Sequence, residues 1–564
     1  MASSDLDQKS LPPSTTETQH LITPPLSPST PPHHQPAVAT IPPTTALSTP
    51  PITPTKPTTT AHSTPPITPT TPSTTTTPSP ATTPLPYPRR PRRRGKFTDL
   101  AFTHSFTAFD RHHPAANSPF HGFFTLFWMG VFLFAVKIAA DNWRVHGNPL
   151  GTNEILRGMM GRELGWLVLA DGVMCAAAGV WQTVFIAAVV GLTMWRDWPW
   201  THTVFFVLHG LVMLMKQHSY AFYNGHLSSV YKQRNRLLEK IKELDKIASV
   251  PAVPGVATPT ASEEQFQSED GEAPDIAEIV AAIDAGGPLD ETQAAEYSCG
   301  LKWEVDALSD ELRGKSTAPG REYPHNLTFR NHCEYMVLPT VVYELEYPRS
   351  EQIDWWYAAE KAAACFGVIF VMIMISQAFI YPVVMDSVRM KEEGVPLPGR
   401  FRQFPWMMLD LIFPFMMEYL LTWYLIWETI LNFVAELTRF ADRGFYDAWW
   451  NCVSWDQFAR DWNRPVHNFL LRHVYHSSIS AMKVDKHTAT LITFFLSACV
   501  HELVMWRIFK KLRGYLLVLQ MCQLPLVRLS RTKWLRNREQ LGNIIFWLGI
   551  FTGPSILCSL YLIL

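Results

Sequence analysis

Apolar and polar positions along this 564-residue chain fall into two regimes. Residues 1–88 are almost entirely Ser, Thr and Pro, as in "LITPPLSPSTPP", and "STPPITPT" occurs at both 48–55 and 63–70. From about residue 120, long apolar runs take over at 120–141, 164–194, 202–222, 361–385, 404–436, 488–509, 512–529 and 541–563. Each is close to or beyond the roughly 20 apolar residues that a helix needs to cross hydrocarbon. The pattern predicts an all-α polytopic membrane protein.

Basic residues set the expected orientation. "RRPRRRGK" (89–96) precedes the first run and "YKQRNRLLEKIK" (231–242) follows the third. Both belong in the cytosol if basic loops stay inside, so an even number of crossings separates them. The long 164–194 run is therefore expected to fold as two short helices, giving about nine spans and a cytosolic N-terminus. Continued alternation puts 223–360, 437–487 and "RLSRTKWLRNR" (528–538) in the cytosol, while "KKLR" (510–513) breaks the rule.

Composition refines this organisation. Overall values of 47% hydrophobic, 17% charged and a net charge of −1 resemble a soluble protein only because the polar tail dilutes the average. Residues 1–96 have too few large apolar side chains to offset chain entropy, and are expected to be a disordered tail. Its Ser-Pro and Thr-Pro pairs suit phosphorylation or simple solvation. The first apolar run starts too late for a cleavable signal peptide.

Residues 97–564 form the membrane domain. Within it, 226–246 reads as a charged amphipathic helix and 247–318 as an acidic disordered cytosolic linker, most clearly over 250–298. Residues 321–350 read as folded against the membrane face. The eight cysteines lack metal-ligand spacing and read mostly as small apolar fillers, so no disulfide framework or zinc site is expected.

Candidate chemistry sits in two places. His501 and Glu502 lie in the run 488–509, and ionisable groups at membrane depth are costly enough to suggest function. "HELVM" is not a zinc-protease motif, because Met505 stands where a second His is needed. His501 suits a general base for an attacking hydroxyl. Ser497, one turn earlier, suits a hydroxyl that orients the ring. Glu502 points about 100° away and is a poorer partner. A structural hydrogen bond to a neighbouring helix is the competing reading of His501, and it is the preferred reading of His209.

The second place is "GFYDAWWNC" (444–452), which packs four aromatics beside Asp447 and Asn451. An interfacial aromatic belt is one reading. A site whose rings exclude water while Asn451 donates toward a developing oxyanion is the other.

"FADRGFYDAWWNCVSWDQFARDWNRPVHNFLLRHVYHSSIS" (440–480), "LPTVVYELEYPRS" (338–350), "MKQHSYAFYNG" (215–225) and "SACVHEL" (497–503) together resemble membrane-bound O-acyltransferases. The similarity is to the sterol O-acyltransferase branch, and within it to fungal members. It covers about 120–564 apart from the acidic linker.

The resemblance implies an endoplasmic-reticulum enzyme that esterifies a sterol 3-hydroxyl with a fatty acyl group from acyl-CoA, acting as a homodimer or homotetramer. It implies His501 as the catalytic base and Asn451, with Trp450, as the oxyanion donor. It also implies an acyl-CoA motif at Phe445, Tyr446, Trp449, Trp450 and Asn451. The family aspartate would stand at 448, which is Ala here, while Asp447 fills the variable place. Ser497 and Glu502 are expected to support His501. No cofactor, metal or nucleic-acid partner is expected, because a thioester is already activated. Diacylglycerol acylation and a non-catalytic lipid-binding scaffold are the alternatives.

Overall fold

A computed structural model describes residues 100–118, 121–160, 163–176, 182–196, 198–248, 276–286, 289–317, 320–535 and 538–564. All belong to one compact unit. The Ser/Thr/Pro tail and the basic cluster at 89–96 lie outside the described residues.

The chain opens with α1 (His121–His146), α2 (Glu154–Met159), α3 (Leu164–Ala176), α4 (Gln182–Arg196) and α5 (Trp200–Ala248). The long second run, 164–194, thus carries two helices, α3 and α4, as expected. Both pack on the first half of α5. At 49 residues, α5 is long enough to cross a bilayer and continue well beyond it.

α6 (Ile276–Asp284), α7 (Glu291–Arg313) and α8 (Phe329–Val337) follow. They correct the expectation of a disordered linker over 247–318. α7 runs against α5 and buries Leu301, Leu308 and Leu312 in the same core as Leu227, Leu237 and Leu244. The acidic composition concealed a leucine stripe at helical spacing. The linker's most acidic part, 249–275, lies outside the described residues.

α9 (Trp355–Ile375), α10 (Tyr381–Glu392), α11 (Leu397–Trp423) and α12 (Leu431–Leu437) form two long rods. Each rod is widened once by a π turn, at Ser376–Ile380 and at Tyr424–Ile430. α13 (Trp455–Asp461), α14 (Arg464–Phe469), a third π turn (Leu470–Tyr475), α15 (His476–Met482) and α16 (Lys486–Phe509) come next. α17 (Tyr515–Met521), α18 (Gln523–Ser530) and α19 (Glu539–Ile563) complete the chain.

Among the described residues, five stretches are long and apolar enough to cross a membrane: 122–146, 355–392, 397–437, 486–509 and 539–563. Shorter apolar helices cover 164–175, 182–196 and 515–530. With the first half of α5, they account for all the apolar runs. Among the described residues no strand forms, and the sheet-like contacts are two isolated bridges, Ser105 with Asp442 and Arg349 with Phe440.

Buried charges tie the non-helical connections to this bundle. Lys216 of α5 is 3% exposed and donates to the carbonyls of Tyr335 (3.0 Å) and Leu338 (2.5 Å). Arg472 pairs with Glu344 at 2.7 Å, both side chains being almost wholly buried. The 338–350 segment is thereby stitched to the π turn at 470–475, which bears out its reading as folded. The eight cysteines form no disulfide, but Cys299, Cys333 and Cys522 are exposed, which departs from the filler reading.

Candidate active site

α16 starts cleanly because the Asp485 carboxylate accepts the N–H groups of His487 (2.9 Å) and Thr488 (3.3 Å) at its first turn. His501 lies well inside this helix. Its Nδ1 sits 2.7 Å from the carbonyl oxygen of Ser497. A carbonyl can only accept, so this bond requires a hydrogen on Nδ1, and in the neutral ring Nε2 then carries the lone pair. The Ser497 hydroxyl was the expected orienting group; the backbone carbonyl of the same residue does that work instead. The His501 side chain is exposed at the protein surface, so Nε2 is reachable.

Glu502 faces the other way and does not support His501. It is 3% exposed, and its carboxylate accepts the backbone N–H groups of Gly514 (2.7 Å), Leu516 (3.1 Å) and Leu517 (3.2 Å). Those are the donors that the start of α17 leaves without helical partners. Glu502 is a helix cap supplied by the neighbouring helix.

His209 bonds Asp171 through Nδ1 at 2.7 Å, in line with the structural reading. Cys175 joins this pair within 4.8 Å, as a small polar knot between α3 and α5.

The loop after α12 is mostly irregular. Residues 445–448 are not helical, and only Trp449–Asn451 makes a single 3-10 turn. Phe445, Tyr446 and Trp449 are 2%, 4% and 1% exposed, so they belong to the core. Trp449 packs edge-on against Trp423 at 5.2 Å and Trp462 at 5.6 Å. Trp450 stacks on Phe109 at 5.4 Å, and its carbonyl accepts from Asn543 and Trp547 of α19.

Glycine makes this contact with α19 feasible. A Cβ at Gly542 would stand 2.7 Å from the Val453 carbonyl, and one at Gly549 would overlap the Trp455 ring. Asp447 and Asn451 reach the surface. Asp447 pairs loosely with Arg464, at 3.8 Å.

No hydrogen bond among the described residues joins Asn451 to His501. A second asparagine lies in the hairpin that leads to His501. Asn463 caps α14, its Oδ1 accepting from the Val466 N–H at 3.2 Å. The π turn that continues α14, and α15 after it, pack on α16 through the short link at 483–485. This is an antiparallel helical hairpin. At 1.5 Å per residue, Asn463 and His501 stand about 31 and 26 Å from its turn, within about 6 Å of one level.

The amide NH2 of Asn463 remains available while its oxygen caps the helix. "RDWN" could have drawn notice in the sequence as an N-cap before Pro465, but the aromatic run nearby was the louder signal. A recess lined by Leu100, Thr340, Asp442, Gly444, Arg464 and Asn468 opens beside the loop, and neither His501 nor Asn451 lines it.

Residues 302–563 match the membrane-bound O-acyltransferase family model. Sterol O-acyltransferase 2 of Candida albicans is 36% identical over 496 residues, covering 83% of this chain and 79% of the relative. Sterol O-acyltransferase 2 of Saccharomyces cerevisiae is 36% identical over 478 residues, covering 79% and 67%. Diacylglycerol O-acyltransferase 1 of Dictyostelium discoideum is 34% identical over 241 residues, only 42% of this chain and 37% of that protein. Helical architecture, an intramembrane histidine held in one tautomer and similarity across most of both chains agree: this polypeptide belongs to the membrane-bound O-acyltransferase family.

Proposed function

We propose that this chain is a sterol O-acyltransferase that moves a long-chain acyl group from acyl-CoA to the sterol 3-hydroxyl. Similarity to the Candida sterol O-acyltransferase across 83% of the chain carries the reading. The diacylglycerol enzyme aligns over less than half as much, which favours sterol over diacylglycerol as acceptor.

The chemistry follows from the tautomer of His501. Nε2 takes the proton of the sterol hydroxyl as its oxygen attacks the thioester carbonyl. An asparagine amide donates to the oxyanion that forms. Collapse expels coenzyme A as thiolate, which takes the proton back from Nε2. This route uses no covalent enzyme intermediate, cofactor or metal. The sequence reading gave the amide to Asn451 with Trp450; the level of Asn463 in the hairpin favours Asn463. The enzyme works in the endoplasmic reticulum membrane with its N-terminus cytosolic, as a homodimer or homotetramer.

The test expresses the chain in cells lacking neutral-lipid acyltransferases and supplies labelled oleoyl-CoA with ergosterol, cholesterol or diacylglycerol. Label is expected in steryl ester and lost in His501→Ala. Asn463→Asp keeps the cap but removes the amide donor, so it should lower kcat about 100- to 1,000-fold, with Asn451→Asp costing under about tenfold. The reverse order would return the role to Asn451. Label only in triacylglycerol would make the chain a diacylglycerol acyltransferase, and none in any product would favour the scaffold.

A further inference from the structure

The π turn at Tyr424–Ile430 holds a carboxylate that the proposed chemistry leaves unused. Glu428 is 0% exposed. One oxygen, Oε1, takes a hydrogen bond from Lys361 Nζ of α9 at 2.6 Å, and that ammonium is also buried. The other, Oε2, takes a hydrogen bond from the Tyr446 phenol at 2.8 Å. Asn432 donates to the Glu428 carbonyl at 3.1 Å, and the Tyr357 ring lies 5.1 Å from Lys361 Nζ. An ion pair of this depth is not expected to stabilise a fold more than apolar residues of the same volume would. A π turn inserted in a long helix commonly marks a functional position.

Tyr446 supplies the link to the loop. It belongs to the irregular segment 441–448, whose backbone bonds go to other parts of the chain, such as Arg464 N–H to the Phe445 carbonyl at 3.0 Å. Its ring packs edge-on against Trp423 at 4.5 Å, and three residues later the 3-10 turn Trp449–Asn451 begins. Apolar packing alone would let this ring slide; a directional bond to a charged acceptor fixes it. Arg443 pairs with Glu436 just upstream, holding the same loop to α12. Alongside backbone bonds such as Asp447 N–H to the Asp461 carbonyl at 2.8 Å, two buried carboxylates thus hold side chains of this loop, and the one nearer the acyl-CoA motif is Glu428.

We infer that Glu428 is a positioning residue: held by Lys361, it anchors Tyr446 and so sets where Trp449, Trp450 and Asn451 stand for acyl-CoA. This rests on the acyltransferase reading above. Tyr446→Phe deletes one hydroxyl and leaves the Glu428–Lys361 pair in place. The double variant Lys361→Met with Glu428→Gln removes both charges but keeps an oxygen that can accept the phenol. Lys361→Met with Glu428→Leu removes the acceptor as well.

The experiment compares these in full-length protein in lipid nanodiscs by oleoyl-CoA kinetics and by amide hydrogen exchange over 447–453. Tyr446→Phe and the Leu double variant should raise KM for oleoyl-CoA at least tenfold and speed exchange at least tenfold. The KM for sterol and the thermal midpoint should change little. The Gln double variant should stay within about twofold of the parent in both readouts. Unchanged oleoyl-CoA KM and exchange in Tyr446→Phe would overturn the inference, as would equal losses in the two double variants. Tyr446→Phe decides alone if neither double variant folds. A parent chain with no acyltransferase activity would remove the function reading, and the exchange arm would still decide the anchor.

Discussion

Asp447 sits one place before the position where the resembling family carries an aspartate. A helical reading would set it four residues before Asn451, on the same face. The backbone is not helical there, so that geometry does not arise. The carboxylate points outward and meets Arg464 at 3.8 Å, a surface pair worth about 0–1 kcal/mol. Asp447→Ala, and the double change Asp447→Ala with Ala448→Asp, are each expected to keep esterification within about fivefold of the parent in a membrane assay.

Glu502 teaches the opposite lesson. It stood out as an intramembrane acid beside a histidine, yet it caps α17. Glu502→Ala leaves three backbone donors without acceptors and should cost about 2–4 kcal/mol. The thermal midpoint in detergent should fall, with turnover per folded molecule within about twofold.

α7 shows why composition misled about order. Glu296 and Asp306 face outward, while Leu301, Leu308 and Leu312 share the face that meets α5. Leu301 is fully buried, so Leu301→Ala should cost about 2–5 kcal/mol, read as a lower thermal midpoint. The 440–454 loop makes a comparable point without regular structure. Cys452 is wholly buried at its end, and burial together with nearby Asp461 pushes its thiol up to about 12. It therefore stays protonated at any working pH below about 12 and should resist maleimide at pH 8. Exposed Cys299 and Cys333 should react. Mass spectrometry of labelled intact protein checks both.

Across the molecule, long-range ties are made by buried charges at the ends of the apolar rods. Arg472 and Glu344 are 128 residues apart, and their pair joins the 338–350 segment to the hairpin that carries Asn463 and leads to His501. Removing one partner strands a buried charge, so Arg472→Ala should cost about 3–5 kcal/mol. The paired change Arg472→Met with Glu344→Leu should recover most of that loss in a double-mutant cycle. Such partners are not legible in sequence, because nothing local to residue 344 points to residue 472.

The apolar runs could be read directly, since a bilayer demands about 20 apolar residues per crossing and backbone groups satisfied within each helix. That demand set the helices and the intramembrane place of His501, and the basic loops added the split of the second run. It could not assign partners. The cap made by Glu502, the burial of Phe445, Tyr446 and Trp449, and the hairpin that brings Asn463 level with His501 all depend on which helix lies beside which. Directional bonds between residues far apart in the chain decide those, and local pattern carries no record of them.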